Sequence, residues 1–134
     1  MVQWGCNALD ISGSGLPVLR CQKRIVDGHG QLEAEGISAE VIDLRTVAPL
    51  DMEPILDSVH KTSRLLIAHE AVVPFGIGAE IAATVARDGF WDLDAPIERI
   101  GAAPTPPPYA PDLERAWLPD RDDIAGAIRR LAAI

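Results

Sequence analysis

Apolar residues along the chain follow two patterns that alternate. Residues 39–44 form a continuous, mostly apolar run, as expected of a strand covered on both faces in a parallel sheet. Leu65-Leu66-Ile67-Ala68 is a second such run, ending at His69-Glu70, and residues 97–100 are a third. Between them the spacing becomes helical. Asp51 is placed to cap a helix in which Glu53 complements the dipole and Pro54 falls in the first turn. Ile55, Val59 and Met52 supply its apolar face, with Lys61 and Arg64 near its end. A second helix is predicted over 79–87, stopped near Gly89, with Phe90, Trp91 and Leu93 expected to pack beneath the following turn. Pro119-Asp120 opens a last helix, where Ile124, Ile128 and Leu131 recur at helical spacing. Strands alternating with short helices imply right-handed crossovers and a parallel sheet. The predicted fold is a small three-layer α/β domain.

The first part of the chain departs from this plan. Val2-Gln3-Trp4-Gly5 reads as the tail of a strand, but Gly13, Gly15, Pro17, Gly28 and Gly30 leave no room for an ordinary helix after it. Leu32-Glu33-Ala34-Glu35-Gly36 resumes the pattern as a last helical turn with glycine just past its end. The division expected is a divergent segment over 1–30 and a folded domain over 31–134. Pro104, Pro106, Pro107, Pro108 and Pro111 predict an extended arm without ladder donors. Such an arm is a possible ligand for a proline-reading domain, although its place between strand and helix favours a rigid surface crossing.

Composition narrows the classes. An aromatic fraction of 4% means the core is built from Ile, Leu, Val and Ala. No run is long enough to span a membrane, and no leader pattern is apparent, so cytoplasm is the default expectation. A net charge of −8 argues against nucleic acid and suits a basic protein partner. Residues 1–30 carry +1 of it, leaving −9 on the remainder. Cys6, Cys21 and the three histidines lack metal-ligand or disulfide-framework spacing.

In open α/β sheets ligands gather at the carboxyl ends of the strands. Three features are expected there. Asp43 and Arg45 can form a local ion pair or interface anchor, or reach a ligand anion. His69 and Glu70 combine an imidazole with a carboxylate, but neighbouring strand residues point apart and no Ser or Cys nucleophile accompanies them, which favours loop anchoring or domain contact. Phe75-Gly76-Ile77-Gly78 precedes a helix, where backbone N–H groups can hold a phosphate, although close helix-to-strand packing explains the glycines equally well. No phosphate-binding loop or full dinucleotide fingerprint is present, and Glu80 would repel phosphate. The residues alone indicate a binding or assembly module.

Ile42-Asp43-Leu44-Arg45-Thr46, Pro49-Leu50-Asp51, Ser58-Val59-His60-Lys61-Thr62, His69-Glu70-Ala71, Gly76-Ile77-Gly78-Ala79-Glu80-Ile81, Leu93-Asp94-Ala95-Pro96-Ile97, Thr105-Pro106-Pro107-Pro108-Tyr109-Ala110 and Leu118-Pro119 occur in one order. This series resembles the C-terminal domain of transketolase-like enzymes, in the beta subunit of thiamine-diphosphate-dependent 2-oxoacid dehydrogenases of the pyruvate or branched-chain type. The resemblance covers residues 31–134. It implies that thiamine diphosphate and magnesium are held elsewhere in the whole enzyme and none by this chain alone. It also implies that the cofactor-activating glutamate lies outside the chain, so the chain alone is expected to be inactive. The implied partners are the alpha subunit, a second beta subunit and the subunit-binding domain of the acyltransferase core. The implied interface residues are Asp43, Arg45, His69, Glu70, Phe75, Tyr109 and Ile134, with no catalytic, cofactor or metal residues.

Two departures stand out. Pro104 occupies a position where the family usually has an acid, and residues 6–30 replace an amphipathic helix with glycine-broken sequence, suggesting an insertion or other disruption. The alternatives are the equivalent domain of deoxyxylulose-phosphate synthase or 2-oxoacid:ferredoxin oxidoreductase, or a free-standing anion-binding module using Gly76 and Gly78.

Overall fold

The computed structural model of the chain describes the backbone of residues 5–10, and residues 32, 34–44 and 46–134. The disruption expected in residues 6–30 therefore falls, from residue 11 onward, outside the described residues. Four strands form one wholly parallel sheet: β1 (Gly5–Asp10), β2 (Ser38–Asp43), β3 (Leu65–Val72) and β4 (Glu98–Ala102), in the order β2-β1-β3-β4. Gly5, expected at the end of a strand, lies in one that runs on to Asp10 and sits inside the sheet, and residues 2–4 of the expected strand lie outside the described residues. Its six residues pair in register with all of β2, from Gly5 opposite Ser38 to Asp10 opposite Asp43.

The helices are α1 (Glu53–Thr62), α2 (Ile77–Asp88), α3 (Pro111–Trp117) and α4 (Arg121–Ala132), with a 3-10 turn over Phe90–Asp92. β3 alternates between two buried layers. Leu66 and Ala68 pack with Leu32, Ala95 and the α4 residues Ile124, Ala125, Ala127, Ile128 and Leu131. Leu65 and Ile67 pack on the other face with Ile55 and Val59 of α1, Ile81 and Val85 of α2, and Leu44. A period of two in the strand against a period of 3.6 in the helices gives the three layers.

Local chemistry fixes the element ends. The Asp120 side chain accepts from the Asp123 N–H at 2.8 Å while the Asp123 side chain accepts from the Asp120 N–H at 3.0 Å, a reciprocal capping box. Asp51, expected to be the N-cap, stands one residue before it: Met52 is the N-cap of α1, and the Asp51 carboxylate accepts from the Glu53 N–H at 3.2 Å, with Pro54 in the first turn. Leu32 and Ala34 are helical, Gly36 adopts φ of 80°, and the Ile37 N–H reaches the Leu32 carbonyl at 2.9 Å. That is a glycine-ended helix closing back on its last turn.

Long-range ties join the layers. Ser58 and Lys61 of α1 both reach the Glu40 carboxylate of β2, at 2.6 and 3.4 Å, and the Ser58 hydroxyl chiefly holds that carboxyl below its usual range. Arg129 forks onto Glu35, and Arg130 onto Glu98. Buried Arg64 donates from Nε to the Leu131 carbonyl at 2.9 Å, and the Ser63 carbonyl accepts the Asp94 N–H at 2.9 Å.

Two expectations are corrected. Phe90 and Trp91 do not pack beneath the turn: both are exposed, stacked edge to face with centroids 5.1 Å apart, and only Leu93 joins the core. The proline arm does not run uninterrupted to the last helix, because α3 starts at Pro111. Proline is tolerated in a helical first turn, and α3 buries no residue, so the sequence carries no amphipathic signal for it.

Ile67→Ala is expected to lower the unfolding free energy by about 2–5 kcal/mol through loss of a fully buried side chain at the sheet centre. Asp120→Ala should lose about 1 kcal/mol with the cap. Urea denaturation of both variants checks the ranking, and an Asp120→Ala loss equal to that of Ile67→Ala would contradict it.

Candidate functional site

The carboxyl end of the sheet is where the predicted site residues converge or fail to. β3 pairs with β4 at Ala68 opposite Ile100 and again at Val72 opposite Ala102, so β3 carries extra residues between these points. This bulge falls on His69, Glu70 and Ala71. Bulges re-aim side chains at strand ends. His69 continues the Leu65 and Ile67 face and is driven inward, only 1% exposed, while Glu70 is half-buried.

Three glycines wall the imidazole. A Cβ on Gly78 would lie 2.8 Å from His69 Nε2, and one on Gly101 would lie 2.9 Å from Cε1 and 2.5 Å from the Ala71 carbonyl oxygen. A Cβ on Gly76 would meet the Val72 carbonyl at 2.8 Å and Cε1 at 3.3 Å. The four distances of 2.9 Å or less are closer than real Cβ atoms approach. Gly78 and Gly101 are set against the ring itself, and Gly76 chiefly against the Val72 carbonyl. Gly76 and Gly78 serve close packing of α2 on β3, the second of the two roles the sequence left open.

The ring is also fixed by hydrogen bonding. Nδ1–H donates to the Ala71 carbonyl at 2.8 Å, which leaves Nε2 as a buried lone pair with no protein partner. Burial, aided by the nearby Arg99 charge, holds the imidazole below its ordinary range, so it stays neutral. A walled-in neutral imidazole with one nitrogen committed and the other packed on glycine has no path to a substrate proton. The space before Gly76 and Gly78 is taken by His69 and the Val72 carbonyl, so these residues do not fit a diphosphate cradle. Among the described residues no cluster of His, Cys, Asp and Glu is arranged to hold a metal.

The other predicted residues are dispersed. Asp43 ends β2 and is half-buried, with its interactions satisfied within the chain. Arg45 lies outside the described residues, and so does the ion pair expected between them. Phe75 and Tyr109 stand at the carboxyl ends of β3 and β4, and both are as exposed as an isolated side chain, at 103%. Phe75 has φ of 60°, a left-handed backbone unusual for a bulky residue. Ile134 lies at the opposite end of the domain, exposed past α4.

That opposite end holds what the sequence reading missed. Ala82 and Ala86 of α2, with Phe90, Trp91, Leu93, Pro96 and Ile97, line an apolar hollow of about 690 Å³. Trp91 is 93% exposed on its rim. Asp94 borders it, and Asp92, next to Trp91 in the chain, is met by His60 at 3.1 Å. The Ser63 and Arg64 ties set Asp94 and the end of α4 against the same start of β3, so Ile134 belongs to this end. Phe90, Asp92 and Asp94, all within three positions of Trp91, were the available signal.

A family model described as "Transketolase, C-terminal domain" matches residues 26–124. The chain is 52% identical over 99 residues to "Pyruvate dehydrogenase E1 component subunit beta-2, mitochondrial" of Oryza sativa subsp. japonica, covering 74% of this chain and 26% of that protein. It is 42% identical over 112 residues to "Pyruvate dehydrogenase E1 component subunit beta" of Rickettsia bellii, covering 84% of this chain and 34% of that protein. The chain thus spans between a quarter and about a third of the length of these relatives. Among solved structures it resembles "Split gene transketolase, inactive beta4 tetramer", with TM-score 0.75 and 20% identity over 98% of this chain and 39% of that one, a likeness of fold. The cytoplasmic placement expected from the sequence is corrected by these names: the rice, pea, Arabidopsis thaliana and Dictyostelium discoideum relatives are all mitochondrial. The default rested on the lack of a leader pattern, which a chain matching only part of its relatives does not test. The match over 26–124 and the shared sheet-and-helix architecture lead to one assignment: the chain belongs to the transketolase C-terminal domain family, among the relatives of pyruvate dehydrogenase E1 beta subunits.

Proposed function

We propose that this chain is a non-catalytic assembly domain of a 2-oxoacid dehydrogenase beta subunit. The whole assembly would decarboxylate pyruvate, or a branched-chain 2-oxoacid, with thiamine diphosphate and magnesium bound outside this domain. The observation that carries the reading is a contrast. Among the described residues, His69 is the buried titratable side chain at the carboxyl end of the sheet and is locked in packing, while Phe75, Tyr109 and Trp91 project into solvent. Exposed large aromatics at the ends of a well-packed domain are docking anchors rather than core residues.

Two contact faces follow. At the carboxyl end, Phe75 and Tyr109 face the alpha subunit and a second beta subunit, with Asp43 and Glu70 at the same end of the sheet and His69 holding the loop from within. At the amino end, the hollow beside Trp91, with Asp92, Asp94 and Ile134, suits the basic subunit-binding domain of the acyltransferase core. The acidic surplus of residues 31–134 adds long-range attraction for it.

Phe75 offers a test with two opposed readouts. Phe75→Gly should raise domain stability by about 1 kcal/mol, because glycine adopts positive φ without strain. The same change should weaken alpha-subunit association by about tenfold, through loss of an aromatic anchor. Sedimentation of the reconstituted subunits measures the second effect, and undiminished association would remove Phe75 from the interface.

At the other end, extending the chain beyond Ile134, or Trp91→Ala with Asp94→Lys, should weaken binding of the subunit-binding domain and leave alpha-subunit association unchanged. Unaltered calorimetric titration by both variants would refute that placement.

His69 is read as a loop anchor, and its titration has a definite sign. Its folded pKa is lowered from 6.5, so the unfolded chain takes up the proton first. Stability from this group is full above about pH 6.5 and lost as pH falls below it. His69→Asn keeps a donor for the Ala71 carbonyl without an ionisable ring. Urea midpoints compared at about pH 7.5 and about pH 5.5 should fall in the parent and much less in the variant. An equal fall in both would show that His69 does not govern this window.

A further inference from the structure

The arm after β4 carries Thr105-Pro106-Pro107-Pro108-Tyr109. Each proline fixes its own φ, and each restricts the residue before it to extended backbone. Thr105, Pro106, Pro107 and Ala110 all precede a proline, and Ala110 has φ −77° and ψ 130°. The chain bends at residues 104–105 and 109–110 and runs straight between. Fixed proline φ and an extended residue before each proline favour a polyproline II strand, which has three residues per turn.

That period sets which side chains point together. Pro106 and Tyr109 are one turn apart and share an edge. Both are exposed, and Pro108 alone is half-buried against the domain. Proline supplies no N–H, so the straight run offers carbonyl acceptors and ring surface only.

The arm is also held at its neck. The Trp117 indole N–H donates to the Ala103 carbonyl at 2.9 Å and the Thr105 carbonyl at 3.2 Å. The Ala103 N–H returns to the Trp117 carbonyl at 3.2 Å. The far end feeds directly into α3, whose Glu114 N–H reaches the Ala110 carbonyl at 2.9 Å. A strip fixed at both ends has already lost the chain entropy that binding normally consumes.

We propose that residues 106–109 are a polyproline II recognition strip, read by a groove walled with aromatic side chains on a protein partner, with Pro106 and Tyr109 in adjacent slots. Such grooves take preformed proline helices by stacking on ring faces and donating hydrogen bonds to their carbonyl oxygens. The proposal rests on the reading of the carboxyl end as a contact face and gives that face a partner chemistry.

The test is a calorimetric titration of the full chain with a WW domain that reads Pro-Pro-x-Tyr, used as a probe of the groove type. The chain should bind, and Tyr109→Ala and Pro106→Ala should each weaken binding by at least about tenfold. Added salt should leave it unchanged, because no charge is involved. Thermal melts of both arm variants should match the parent, since neither side chain is packed. Absence of binding by the parent chain, or equal binding by Tyr109→Ala and Pro106→Ala, overturns the proposal. No dehydrogenase subunit enters this titration. Its failure therefore leaves the assembly reading intact, and failed association with the alpha subunit leaves the strip intact.

Discussion

Burial of β3 on both faces is the constraint on which the rest depends. Leu65 to His69 point alternately to its two sides, and all five are buried completely or nearly so. A strand of this kind must find helices on both sides, because an exposed row of Leu and Ile would forfeit roughly 1.5–3 kcal/mol per side chain. α4 and the segment ending at Gly36 cover one side, and α1 and α2 the other. β1 and β4 complete its hydrogen bonding along both edges. The helices are short, and tertiary packing rather than intrinsic propensity keeps them folded.

The same alternation explains why the ligand-binding end is closed. One residue beyond Ile67 and Ala68, the pattern that buries leucine and isoleucine buries a histidine. The domain accommodates it by deleting Cβ atoms at three positions that come from α2, its preceding loop and β4. An unsatisfied buried nitrogen has a cost of about 1–3 kcal/mol. The Nδ1 bond to Ala71 and the close packing of the ring offset it. The closed histidine and the outward-pointing aromatics are two sides of one arrangement, in which the loop from Val73 to Gly76 is clamped from below and presents Phe75 above.

Much of this was legible in sequence, for reasons that differ from element to element. β2, β3, α1 and α4 announce themselves because burial imposes an apolar run or a helical repeat, and the Asp120 cap and the glycine after Leu32 are local chemistry with fixed offsets. α3 was illegible because it buries nothing. Phe90 and Trp91 were misplaced because residue type predicts burial only on average, and exposed aromatics break that average where a surface has another role. Gly76 and Gly78 were visible, but their meaning depended on what faced them across the sheet. His69 falls on the buried face by the alternation of β3, but the bulge over Glu70 and Ala71 is a register shift between β3 and β4 that no pattern within either strand encodes. Gly101 had a faint signal, as a glycine inside a strand.

Ser63 and Arg64 occupy the two positions just before β3, and their consequence is mechanical. Through the Ser63 carbonyl they hold the loop at Asp94, and through the Arg64 guanidinium they hold the last turn of α4. The amino-end surface is thereby bolted to the first residue of a strand whose last residues carry the loop of Phe75. Eight residues of extended chain measure about 26 Å. β3 is in this sense a strut: it sets a fixed separation between the two ends, so whatever seats on one is held at a constant distance and orientation from whatever seats on the other.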